Sequence, residues 1–317
     1  MPKSQQAFAR RLAPVLLCAA TTLAGAVVSA QTAPRHSEVP APTHLYPEPN
    51  VSGLITLPGD FAHVRYGVGY LGRAARLQLD LEPAMRILQR WTDNGTEVTI
   101  YLLSREQWQQ AGLSMPFGVP VRVGRLALAA PAEGDDATVA LWNSVGLGVL
   151  PSPAANAFPG TPHHASSMVM ADFLTYLQTA EVLVDEAGLA GDEHWVRSLV
   201  THIAAVGYLT KNEDPRLRDL EMVYRQALTR RPERSLAASD YRPDLGLGDW
   251  LWFQAHFHRG AMILLDEEGR RPMRDLHKLK NRNDGLLTGA SILARWNRLE
   301  DWYYDSFSTI STRPASP

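Results

Sequence analysis

The stretch Ser166–Gly207 reads SSMVMADFLTYLQTAEVLVDEAGL, then a short break at AGDE, then HWVRSLVTHIAAVG. Its apolar spacing predicts two consecutive helices. On a wheel of ~100° per residue, Val169, Phe173, Tyr176, Leu177, Ala180, Leu183, Val184 and Ala187 share one arc. Asp172, Thr175, Thr179 and Glu186 lie opposite, and Gln178, Glu181 and Asp185 form a polar line along one edge of the arc. The second helix turns Trp195, Val196, Leu199, Val200, Ile203 and Val206 inward, with Ser198 and His202 one turn apart at the margin. Polar groups at the shared margin of two buried helices mark the place to look for a site.

Outward from this pair, the chain divides by composition. Residues 1–30 carry Lys3, Arg10 and Arg11, an apolar run LAPVLLCAATTLAGAVV, and the small-residue sequence Val28-Ser29-Ala30. They read as a cleaved signal peptide with its site at Ala30/Gln31, which predicts a periplasmic or secreted protein. Leu17 before Cys18 argues against a lipid-modified cysteine. Cys18 is the sole cysteine, so the exported chain has neither thiol nor disulfide and rests on its core. Removing those three from the 31 basic residues leaves 28 against 33 acidic ones, a balance that argues against nucleic acid as a partner. No second long apolar run is present, so no membrane span is expected after cleavage.

Residues 31–54 are Pro-rich and read as a linker. Folded structure is expected from about Phe61, with FAHVRYG as a strand. A helix is expected to start at Pro83 and carry Met85, Ile87, Leu88 and Trp91. TEVTIYLL is a strand, Ser104 caps the short helix REQWQQAG, and RLALAA is a strand ending at Pro131. Residues 55–150 are therefore an α+β subdomain. Residues 151–317 open with a Pro-rich loop to Pro162 and continue as helices only. Asp214-Pro215 starts one, Asp249 is the expected cap of another that Gly269 closes, MRDLHKLK is short, and SILARWNRLEDWYYDSF is the last. The two glycosylation-type triplets, Asn50-Val51-Ser52 and Asn94-Gly95-Thr96, read as coincidence.

Among chemistry-bearing residues, His163 and His164 are expected at the surface of a loop. His256 and His258 are two apart on a helix and diverge by about 200°, so they cannot share an ion; one is expected buried and the other exposed. Glu181 and Asp185 are an i,i+4 carboxylate pair that can share a proton or form a solvated acidic edge. The chain has no G-x-S-x-G and no Gly-rich phosphate loop.

An α+β half, a central helix, a Gly-containing loop and a second helix led by Trp195 together resemble the gluzincin-type zinc metallopeptidases of the thermolysin-like clan. The similarity is to the exported bacterial branch, whose central region reads H-E-x-x-H, a short loop, then W-x-x-E. The resemblance implies a zincin-like α+β fold, with a small sheet-containing N-terminal half and a helical C-terminal half around a central helix. In such enzymes two histidines and a downstream glutamate hold zinc, and the first glutamate is the base. With Trp195 on the family tryptophan, the first histidine position is Leu177, the base Gln178, the second histidine Glu181 and the third ligand Ser198. Zinc is expected for the family but its ligands are absent, and no H-E-x-x-H occurs anywhere in the 317 residues. The resemblance thus implies the fold and argues against the activity: a pseudo-peptidase binding or scaffolding protein of the periplasm, with a peptide or envelope protein as its partner and no cofactor. Two alternatives stand beside it. One is a hydrolase using Glu181, Asp185 and His202, with or without a metal on those three. The other is a purely structural helical domain in an envelope assembly.

Overall fold

The computed structural model describes residues 47–307 except 94, 114, 149–154, 157, 159, 213, 230–235, 243–244 and 270. The expected signal peptide and its cleavage site, the linker as far as residue 46, Asn94 and much of the Pro-rich loop lie outside the described residues.

The N-terminal part is a five-stranded sheet, and helices fill the rest: an α+β fold. Its strands are β1 (Ile55–Leu57), β2 (Ala62–Tyr66), β3 (Val98–Leu103), β4 (Val121–Val123) and β5 (Ala127–Pro131), in spatial order β1-β2-β3-β5-β4. The central strands β2, β3 and β5 run parallel, and the two outer strands are antiparallel to their neighbours. Strand β5 is buried along its whole length and β3 nearly so, as parallel strands covered on both faces must be. The helix α1 (Leu71–Thr92) makes the crossover from β2 to β3.

Strand formation begins before Phe61, because β1 pairs with β2 and Val51 already lies in the core. The helix over Met85–Trp91 begins at Leu71, not at Pro83. Ala74, Leu77, Leu81, Ala84, Met85 and Leu88 form one continuous buried face, and the missing N–H of Pro83 falls on the exposed side. Glu82, just before that proline, accepts the backbone N–H groups of Phe61 (3.0 Å) and Ala62 (2.9 Å), which locks α1 to the start of β2. The expected cap and helix at Ser104 form as α2 (Arg105–Gln110), with a reciprocal capping box to Gln107. Strand β4 and the helix α3 (Asp136–Ser144) have no counterpart in the sequence reading.

Helix α4 (Pro162–Glu186) starts four residues earlier than the apolar pattern suggests, with Thr161 as cap and Pro162 at its first position. His163 and His164 therefore sit in its first turn and not in a loop; His163 is exposed and His164 bonds Asp136 at 2.8 Å. From Ala165 to Val184 every side chain of α4 is buried except Asp172 and Glu181. The expected solvent side of α4 does not exist. Thr175 and Thr179 are fully buried and return their hydroxyls to Ala171 O (2.7 Å) and Thr175 O (2.8 Å) of their own helix. A helix buried all round needs neighbours all round, and α4 has α1, α3, β4 and β5 on the sheet side and α5 on the other.

Gly188 and Gly191, both at positive φ, turn the chain from α4 into α5 (His194–Lys211). Then follow α6 (Arg216–Thr229), a 3-10 turn at Ala238–Asp240, α7 (Leu247–Glu268), α8 (Pro272–Arg282), α9 (Gly289–Arg295) and α10 (Asn297–Phe307). Asp249 lies inside the first turn of α7, whose cap is Gly246. The last expected helix is broken: Trp296 is extended (φ −134°, ψ 101°) and buries its indole, letting α9 and α10 present separate apolar faces. Among the described residues no helix is long and apolar enough to cross a membrane.

Pro83 leaves one carbonyl in the exposed flank of α1 without its helical donor. Pro83→Ala is therefore expected to stabilise the protein by about 1–3 kcal/mol, as read from urea unfolding; an unchanged or lower midpoint would show that the proline fits this helix without cost.

Candidate functional site

Helices α4 and α5 carry Leu177, Gln178, Glu181, Asp185, Ser198 and His202, and the fold divides them into separate groups. Leu177 and Gln178 are consecutive on α4. Both are buried, and Gln178 Nε2 donates to the carbonyl of Pro120 (2.8 Å), the residue that leads into β4. Two turns on, Asp185 is clamped between two guanidinium groups: Arg122 of β4 and Arg197 of α5, whose Nε is 3.1 Å away. The carboxylate that reads as half of an acid–base pair is the centre of an ion triad joining sheet, α4 and α5.

Glu181 lies a turn before Asp185 and accepts no hydrogen bond from the described residues. Burial pushes its pKa up to about 7, the negative charge of Asp185 adds to the rise, and Arg197 and Arg122 oppose it. The charge of Glu181 thus changes near neutrality.

Ser198, on α5, is buried and donates through Oγ to the hydroxyl of Tyr241 (2.9 Å). The same hydroxyl accepts from Gln254 Nε2 of α7 (2.8 Å), and Gln254 Oε1 accepts from His202 Nε2 (2.8 Å). Ser198, Tyr241, Gln254 and His202 therefore form one buried chain of hydrogen bonds linking α5, the segment after α6, and α7. The burial of Tyr241 raises its pKa, and the Glu181 carboxylate raises it further, which places Glu181 beside this chain. Arg122, Tyr241 and Gln254 escaped the sequence reading. Arg122 sits in a three-residue strand and the other two are held by contacts more than ten residues away, which no local pattern announces.

His202 faces away from the carboxylates. It is fully buried, its ring lies 5.6 Å from that of Tyr224 and 6.0 Å from that of His258, and burial pushes its pKa down to about 4. His258 is buried beside it and is pushed down to about 3, first by burial and then by His202. His256, on the other flank of α7, is half-buried against Trp252 (4.2 Å between ring centres), not exposed as the spacing suggested. Glu181, Asp185 and His202 are accordingly not gathered as one centre. Among the described residues no three His, Asp or Glu side chains are placed to hold a metal ion.

Comparison with known proteins returns no match: no family model, no curated protein and no solved structure matches the chain at a significant level.

The two kinds of buried acid and base pull stability in opposite directions with pH. Below about 6.5 the unfolded chain protonates its histidines while folded His202 stays neutral to about 4 and His258 to about 3, so stability falls as pH drops through that window. Glu181 ionises near 4.5 when unfolded but near 7 when folded, so its contribution falls as pH rises between those values. Glu181→Gln is therefore expected to stabilise the fold at pH 8 and leave it unchanged at pH 4, and His202→Gln to flatten the loss on acidification. Urea unfolding at pH 4, 6 and 8 measures both; a uniform shift across pH would contradict this assignment. Tyr241→Phe leaves the donors of Ser198 and Gln254 unpaired in the interior and is expected to cost about 1–3 kcal/mol.

Proposed function

We propose that this is an exported metallopeptidase-like protein that has lost zinc binding and proteolysis and works in the periplasm as a binding or scaffolding protein. The zincin-like frame is supported by the sheet, the central helix α4, the glycine turn and the Trp195-led helix α5 following one another in the expected order. One observation carries the loss of activity. At the positions of the two histidines, the base and the downstream ligand stand Leu177, Glu181, Gln178 and Ser198, and three of these four are buried and built into the fold. Gln178 holds Pro120 and Ser198 holds Tyr241, so these side chains position backbone and aromatic ring where an enzyme needs ligands open to substrate.

A hydrolase using Glu181, Asp185 and His202 has in its favour a single feature, the unbonded Glu181 that titrates near neutrality. Against it, Asp185 is committed to Arg122 and Arg197, and His202 is sealed behind Gln254. The purely structural reading of the helical part requires no open site at all.

Incubation of the purified protein with unfolded casein and a peptide library, with and without a chelator, separates these readings. The expected result is no cleavage that the chelator abolishes, and no change on Glu181→Ala beyond an altered melting temperature. Chelator-sensitive turnover, or a loss of turnover by orders of magnitude in Glu181→Ala, would overturn the proposal.

A further inference from the structure

Away from the α4–α5 margin, helices α1, α4 and α6 stand around a cavity of about 230 Å³. Helix α6 rests on α7 and α5, so its inner side faces α1 across this space. The wall is apolar, made by Leu77 and Leu81 of α1, Met170 and Phe173 of α4, and Leu220 and Val223 of α6. Two arginines prop the space. Arg216 is fixed to Asp214 through Nε (2.9 Å) and Nη2 (2.6 Å) and reaches the carbonyl of Asp80 with Nη1 (3.4 Å). Arg76 lies 3.7 Å over the ring of Phe158 and 3.5 Å from Asp172.

The lining also carries charge. Asp80, Asp172 and Asp219 line the cavity against Arg76 and Arg216. Asp172 is already bound by Arg73 from outside the lining, and Arg216 is spoken for by Asp214. Asp80 makes no hydrogen bond or ion pair through its carboxylate with any described residue, and burial raises its pKa against the pull of Arg216. An occupant complementary to such a surface has an apolar body and one positive charge. The volume is below that of a drug-sized site, about 300–1,000 Å³, so the body is small.

We propose that this cavity binds a small amphipathic amine, with its apolar part between α1, α4 and α6 and its ammonium group on Asp80. The proposal rests on the binding-protein reading above and gives it a site and a ligand class. The test is calorimetric titration of the full exported chain at pH 7.5 with 2-phenylethylamine, 3-phenylpropanoate and 3-phenylpropanol, which share a body and differ in head group. The amine is expected to bind with one-to-one stoichiometry, and the acid and the alcohol about tenfold more weakly or worse. Asp80→Asn, an isosteric change at a residue outside the hydrophobic core, is expected to lose about tenfold in amine affinity. Val223→Trp, which fills the cavity, is expected to abolish binding; its fold is checked by circular dichroism, and Asp80→Asn decides alone if that variant is unfolded. Absence of amine binding, equal binding of the acid, or an Asp80→Asn affinity equal to the parent overturns the proposal. None of these results bears on peptide cleavage, which only the chelator experiment reads.

Discussion

The enclosure of α4 is the constraint on which the rest depends. A 25-residue helix with nearly every side chain buried has no solvent face to absorb polar groups, so each must be satisfied from within the protein. The solutions differ with position. Thr175 and Thr179 use their own helix, Tyr176 donates to Ala205 O of α5 (2.6 Å), and Gln178 holds the lead-in to β4. What remain are acidic side chains: Asp172, inside the buried run, is met by Arg73 of α1, Asp185, just past its end, is met by Arg122 and Arg197, and Glu181 is left without a hydrogen bond from any described residue.

These ion pairs contribute less to net stability than their number suggests, because desolvation of both partners offsets most of the attraction. Their effect is on specificity. Leu, Val and Ala faces tolerate sliding by a turn; a carboxylate clamped between a strand and a neighbouring helix does not. Asp185 sets α4 against β4 and α5 together, and Asp172 sets it against α1. The Ser198–Tyr241–Gln254–His202 chain does the same for α5 and α7. Polar residues that read from sequence as catalytic candidates are, on this account, largely devices of register, and Glu181 is the exception that no partner claims.

Local patterns carried the reading where the determinant was local. The β-branched run of β3, the Ser104 capping box and the Asp214-Pro215 start of α6 are each decided within a few residues. The inward face of α4 was legible for the same reason, because periodicity marks the most apolar side. Its other face was not, since whether Thr175 and Thr179 meet water depends on α1, α3 and the sheet arriving there. Pro83 misled because a proline rule is blind to which flank of a helix it occupies, and the break at Trp296 follows from two core surfaces that the amphipathic pattern merges into one. At the site, the residue identities at Leu177, Gln178, Glu181 and Ser198 were plain from sequence. The partners of Gln178 and Ser198, Pro120 and Tyr241, were not, being 58 and 43 residues away, and neither was Arg122, 63 residues from Asp185.

The bond from His277 of α8 back to the carbonyl of Trp91 at the end of α1 spans 186 residues of chain (2.9 Å). At about 5–20 residues per second of synthesis, roughly 10–40 s separate the emergence of these two ends. α4 follows by about the middle of that interval and α8 only at its end, so Leu77, Leu81, Met85 and Leu88 of α1 gain their cover in stages. Completion of the N-terminal half is thus timed by the C-terminal half.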